Sequence, residues 1–272
     1  MKRILFVFLC GCWGSIAQAA GPITDAKLEA VVRKTLQLPT GDLTDDKLRN
    51  LFVLEANSQG ITTLTGLEKC PNLLQIRMAG NAISDLKPIA GLTNLQSLDF
   101  ARNKISDISP LEKLAKLQFL DLSGNTIEKI DAVRGMTALT ALYLNQNKIK
   151  DPAPAAELKK LWTLQLGDNQ LTDAKALVGL KKLENLRISN NQLTDLSFVS
   201  DYTDLRILMM DNNKITTLAP LMKAVDADMK GQRRFAPYLR VYLAGNPLKD
   251  GAAEIATLKK SNVRVFDTMP KK

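Results

Sequence analysis

Asparagine recurs every 22 residues, at Asn81, Asn103, Asn125, Asn147, Asn169, Asn191 and Asn213, and once more at Asn246, always inside the same frame of leucine and isoleucine. One unit runs Leu95, Leu98, Phe100, Asn103, Ile105, Ile108, Leu111, Leu114, and Leu117 opens the next. A chain that repeats one short path cannot wrap a single central core. It must stack its copies into a solenoid, each burying its apolar side only against its neighbours, so that variable residues fall in rows.

The copies open at Leu51, Leu73, Leu95, Leu117, Leu139, Leu161, Leu183 and Leu205, with a ninth at Tyr238. The first is degenerate, with Ala56 at a core position and Gln59 in place of asparagine, as befits a terminal copy. Between Leu205 and Tyr238 lie 33 residues instead of 22, so an insertion within or near 225–237 loops out or extends a helix. Alternation such as Leu98-Asp99-Phe100 is the period of a strand with one buried face, and strands that repeat one path run parallel. Each asparagine amide is placed to bond backbone groups left unpaired at the turn, which gives a ladder of Asn81, Asn103, Asn125, Asn147, Asn169, Asn191, Asn213 and Asn246. On the return side, Ser84-Asp85, Ser106-Asp107, Thr172-Asp173 and Thr194-Asp195, with Pro88, Pro110, Pro154 and Pro220 following, predict short turns or 3-10 segments. The expected fold is an α/β solenoid, a leucine-rich repeat horseshoe with a parallel concave sheet and a slim convex side.

The flanks read as caps. Leu28, Val31, Val32 and Leu36 have helical spacing, with Thr24 or Asp25 able to cap the start, and Thr44 opens a second short helix containing Leu48. At the other end a helix over 252–260 and a strand over 263–266 should close the array. Residues 1–19 read as a signal peptide: a basic head at Lys2 and Arg3, a short apolar run and a small-residue cleavage site that leaves Ala20 first. A lipoprotein signal acylated at Cys12 is the less favoured reading. The division is thus 1–19 signal peptide, 20–50 helical cap, 51–250 repeats and 251–272 C-terminal cap.

Loss of the signal lowers the formal net charge from +9 to +7 and leaves Cys70 alone, at a position filled elsewhere by leucine or methionine, so it reads as a small core residue. Residues 223–272 carry eleven Lys or Arg against five Asp or Glu. That excess fits either a solvated surface or an anion site. The chain contains no histidine, which removes His-based nucleophilic machinery, general acid/base work and zinc ligation together.

The chain resembles the bacterial internalin-type proteins built of 22-residue leucine-rich repeats. The likeness rests on the leucine and asparagine frame, the phrase from Ile105 to Leu111, the helical cap running into the stretch from Gly60 to Leu67, and the phrase from Arg234 to Leu239. The ending from Gly245 to Leu248, followed by a helix and Val263-Arg264-Val265, is similar to the closure of exported repeat proteins of Gram-negative bacteria. Internalin adhesins continue into an immunoglobulin-like domain and a wall-sorting signal, neither of which is in this sequence. The resemblance therefore implies an exported, periplasmic or secreted binding protein rather than an adhesin.

Two columns should point outward from the concave sheet. One reads Glu55, Arg77, Asp99, Asp121, Tyr143, Gln165, Arg187, Met209 and Tyr242; the other includes Phe119, Ile207 and Arg240. Arg77, Asp99, Phe119, Asp121, Tyr143, Gln165, Arg187, Met209 and Tyr242 form the expected partner-binding surface, with Phe119 and Tyr143 as diagonal neighbours at its centre. Asp99 and Asp121 stand one rung apart, about 5 Å, the spacing of a retaining glycosidase pair. An open sheet gives them no desolvated pocket, and two carboxylates fall short of a calcium site, so neither catalysis, metal nor cofactor is expected. Trp162 beside core Leu161, and Arg233-Arg234 in the insertion, read as surface residues. The expected function is non-enzymatic recognition of a macromolecule, a protein foremost, on the concave face. The alternative is an envelope component that holds acidic glycan or lipid through its basic C-terminal region; nucleic acid is not an expected partner, and the oligomeric state is left open.

Overall fold

The computed structural model describes residues 21–266; the expected signal peptide, Cys12 and residues 267–272 of the C-terminal cap lie outside them. Ten strands form one parallel sheet in strict chain order. They are β1 (Val53–Glu55), β2 (Gln75–Arg77), β3 (Ser97–Asp99), β4 (Phe119–Asp121), β5 (Ala141–Tyr143), β6 (Thr163–Gln165), β7 (Asn185–Arg187), β8 (Ile207–Met209), β9 (Arg240–Tyr242) and β10 (Arg264–Phe266). Each is three residues long, and the register steps by one repeat per rung, as in Leu98 opposite Leu120 opposite Leu142. The central side chains of β1 to β9, from Leu54 to Val241, are buried and stack in one column. Cys70 lies fully buried within the same continuous core.

The asparagines pin this stack. Asn125 Oδ1 accepts from the backbone N–H of Ile105, 2.9 Å, in the preceding unit, while its Nδ2 donates to the carbonyls of Leu122, 2.9 Å, and Phe100, 3.0 Å. The same pattern joins Asn103 to Ile83, Met78 and Phe100, and Asn191 to Leu171, Leu166 and Ile188. A short backbone path turning through an apolar interior leaves such groups without partners, and one amide per unit meets that need. The reversal itself falls one residue earlier. Arg102, Gln146, Asp168, Asn190 and Asn212 all adopt left-handed backbone conformations, as do Gly80, Gly124 and Gly245 at the equivalent positions.

The convex side is made of 3-10 segments, each with a local cause. Asp107 Oδ1 accepts from the N–H of Ser109, 2.8 Å, and Asp85, Asp151, Asp173 and Asp195 accept in the same way from the residue two positions on. Such turns start a helix that the short unit cannot continue. Pro88, Pro110 and Pro154 occupy the first turn of three of these segments, where a missing N–H costs nothing.

Pro220 departs from this pattern. It opens a twelve-residue helix, α3 (Ala219–Lys230), once α1 (Ala26–Leu36) and α2 (Asp45–Leu48) are counted at the N-terminus. The insertion thus extends a helix that buries Leu221, Ala224 and Val225. Asp228 then turns the chain back by accepting from the N–H groups of Arg234, Phe235 and Ala236 at 2.9–3.2 Å. Because the chain reaches β9 directly from the 3-10 segment Ala236–Tyr238, Leu239 rather than Tyr238 seats in the core, and Tyr238 is 63% exposed.

Asp25 caps α1 with one carboxylate oxygen, accepting from Lys27 and Leu28, and holds the first repeat with the other, accepting from the N–H and hydroxyl of Thr62. The docking is close. A β-carbon on Gly66, where φ is +102°, would lie 2.3 Å from the Pro22 carbonyl oxygen, so only glycine fits. At the other end, α4 (Gly251–Lys260) buries Leu258, and Glu254 accepts from the N–H of Leu218, 2.9 Å, before β10 joins the sheet beside β9. No helix among the described residues is long and apolar enough to cross a membrane.

Candidate functional site

In every strand the residues on either side of the buried centre point outward onto the concave face, which makes two columns of side chains one rung apart. Phe119 of β4 and Tyr143 of β5 meet across them, ring centroids 5.4 Å apart and planes tilted by 42°. Both are half-buried, as are Asp99 and Asp121. Burial pushes the Asp121 carboxyl above its ordinary value in spite of a hydrogen bond from the N–H of Ser123, 2.8 Å, and the charge of Asp99 adds to the effect. Burial, followed by the negative charge of Asp121, likewise raises the Tyr143 hydroxyl. Asp99 spends one oxygen on the N–H of Ala101, 3.0 Å. These two carboxylates thus brace the turns that follow their strands.

Farther along, Tyr143, Gln165, Arg187, Ile207 and Met209 line a shallow depression of about 170 Å³ together with Thr163 and Asn185. Its polar members are held from the side: Gln165 accepts from Asn145, 2.8 Å, and Arg187 pairs with Asp168 at 3.1 Å. Asp168 in turn accepts from Asn190, 2.6 Å, whose own oxygen accepts from Asn212, 2.7 Å. The Nε of Arg187 is buried without a hydrogen-bond partner, packed over Gly167. Rigid polar groups of this kind lose little freedom when a ligand arrives.

The structure thus brings together Phe119, Asp121, Tyr143, Gln165, Arg187 and Met209, with Asp99 one rung before. Arg77 sits at the N-terminal end, tied to Glu55 at 3.0 Å with both side chains about half exposed. Tyr242 is a correction. It lies in the expected column but is only 7% exposed, because β10 lays Phe266 over it with ring centroids 4.7 Å apart. The repeat register ended one rung too early in the sequence to show this cover. Sequence reasoning also missed the arginines that β10 and the approach to β8 add: Arg206 and Arg264 join Arg240 around a second depression of about 300 Å³. Arg206 stands inside the repeat register, beside Leu205, and the strand assignment of 263–266, carried into register with β9, could have signalled Arg264.

The sequence profile described as Leucine Rich repeats (2 copies) matches residues 93–135, 159–200 and 181–221. No curated protein matches the chain. Among solved structures, internalin C2 from Listeria monocytogenes is similar at 29% identity with a TM-score of 0.67, covering 90% of this chain and 94% of that one. An internalin F from the same organism is similar at 21% identity with a TM-score of 0.54, over 94% and 100% of the two chains. The plant peptide hormone receptor RGFR1, solved in complex with RGF2, shares the fold at 21% identity and a TM-score of 0.63, over 81% of this chain and 36% of the receptor chain. By the unit that it repeats and the way the units stack, the chain is a leucine-rich repeat solenoid, and it is similar to internalins.

Proposed function

We propose that this protein is exported and recognises a protein partner on its concave face, without catalysing a reaction. The observation that supports the reading most directly is the tilted contact between Phe119 and Tyr143, half-buried on an open sheet and continuous with the depression that ends at Met209. Aromatic side chains held rigid by their own strands give contact area at small entropic cost, and they are enriched where binding energy concentrates. The likeness of fold to a receptor solved in complex with RGF2, and to internalins, supports a partner of protein or peptide character. Export rests on the sequence of residues 1–19 alone.

The test is capture. Phe119→Ala combined with Tyr143→Ala should abolish retrieval of a specific partner from cell extract while leaving the melting temperature within a few degrees, since neither ring belongs to the core. Undiminished capture by the double variant would rule the reading out. N-terminal sequencing of the protein recovered outside the cytoplasm should find Ala20 first; an intact Met1 would remove the export.

A further inference from the structure

The second depression lies at the C-terminal end of the concave sheet and has a composition that the aromatic centre lacks. Arg240 and Arg264 are directly opposite each other on β9 and β10, and Ile207 is opposite Arg240 on β8, with Arg206 just before it. Together with Tyr238 they surround about 300 Å³, room for a charged group but not for the body of a macromolecule. Arg206 is ion-paired with Glu184 at 3.3 Å. Among the described residues, neither Arg240 nor Arg264 has an acidic partner within ion-pair distance. Like charges facing each other on neighbouring strands destabilise the pair, and an oxyanion held between two guanidinium forks relieves that cost through paired, charge-assisted hydrogen bonds.

We propose that Arg206, Arg240 and Arg264 form a carboxylate subsite, which takes an acidic side-chain cluster of the protein partner. This rests on the concave-face reading above and extends it. One observation favours a carboxylate on a protein over a lipid headgroup. Asn185 and Ile207 line both depressions, so a chain lying over Tyr143 and Met209 arrives at the arginines without leaving the surface.

The experiment uses the full-length protein with hexaglutamate as the probe, followed by NMR at the arginine side-chain N–H groups and by affinity. Saturable shifts at Arg240 and Arg264 are expected, with an affinity that falls as salt is raised. Arg240→Gln with Arg264→Gln should weaken binding about tenfold or more and should not lower the melting temperature. Lys159→Gln with Lys160→Gln, the same loss of charge elsewhere on the array, should change it by no more than about twofold. Equal losses in both double variants, or none in the first, would overturn the subsite. So would tighter, Arg240-dependent binding to phosphatidylglycerol vesicles than to hexaglutamate, which would assign these arginines to a lipid. If Phe119→Ala with Tyr143→Ala leaves partner capture intact while hexaglutamate binding still depends on Arg240, the aromatic reading fails and the subsite stands; the opposite pattern removes only the subsite.

Discussion

Tyr242 and Phe266 stack nearly face to face, with planes 12° apart, across the last pairing of the sheet. The final strand thereby covers an aromatic residue that would otherwise open onto the concave face, and itself forms the last rung of the sheet. Phe266→Ala should cost about 1 kcal/mol beyond its lost area. Hydrogen exchange checks this: the amides of β9 and β10 should lose protection while those of β3 to β6 keep theirs. Uniform protection across the sheet in the variant would show that the stack carries no closing role.

The asparagine ladder makes a graded prediction. Asn125 is 7% exposed, and its replacement by alanine strands the N–H of Ile105 and loosens the carbonyls of Phe100 and Leu122 in the interior. A buried donor left unpaired is expensive, so Asn125→Ala should destabilise by about 3 kcal/mol in chemical denaturation. Asn246 makes the equivalent bonds to Ile215, Met210 and Leu243 but is half-buried, where water can substitute. For Asn246→Ala a loss of about 1 kcal/mol is expected. Equal losses at the two positions would contradict the account.

The contrast between ladder and surface also explains what the sequence made legible. Period, strand register and asparagine roles follow from a pattern that each unit repeats, so errors in one copy are corrected by the others, while the helical caps follow from their own apolar spacing. Phe119 and Tyr143 were placed as neighbours because both stand inside that register. Tyr238, Tyr242 and Arg264 stand past its break, where an insertion and a closing strand replace the neighbouring repeat, and their positions depend on how α3 and β10 pack. Pro220 misled for a related reason: proline suits the first turn of a 3-10 segment and of an α-helix equally, and only the length of chain that follows separates them.

Cys70 offers a chemical check on the core. Fully buried, and with its thiol pushed up to about 12 by burial and then by the charge of Glu68, it is kept from the reactive thiolate form. At pH 8, Cys70 of the folded protein that starts at Ala20 should resist alkylation by iodoacetamide over hours, and its reaction should begin only with unfolding by denaturant. Rapid labelling of folded protein would mean that the first repeats open locally.

Asp25 ties the N-terminal cap to the first repeat, and its titration should loosen that tie. Burial opposes its charge, but hydrogen bonds from the backbone of Thr62, the backbone of Leu28, the Thr62 hydroxyl and the backbone of Lys27 outweigh it, so the native carboxyl lies below its ordinary 3.8. A carboxyl with a lower value in the folded state than in the unfolded one contributes stability above that ordinary value, and the contribution vanishes as pH falls through the native value. Asp107 and Asp195 are also lowered, by bonds from Ser109 and Ser197, so global acid unfolding sums several groups and a local reporter is needed. The amide of Thr62 should gain exchange relative to that of Leu142 as pH drops below 3.8, after correction for the intrinsic rate. Asp25→Asn keeps an acceptor for the helix cap but has no charge to lose, and should flatten that dependence while costing about 1 kcal/mol at neutral pH. An acid response at Thr62 that is the same in Asp25→Asn would place the sensitive group elsewhere.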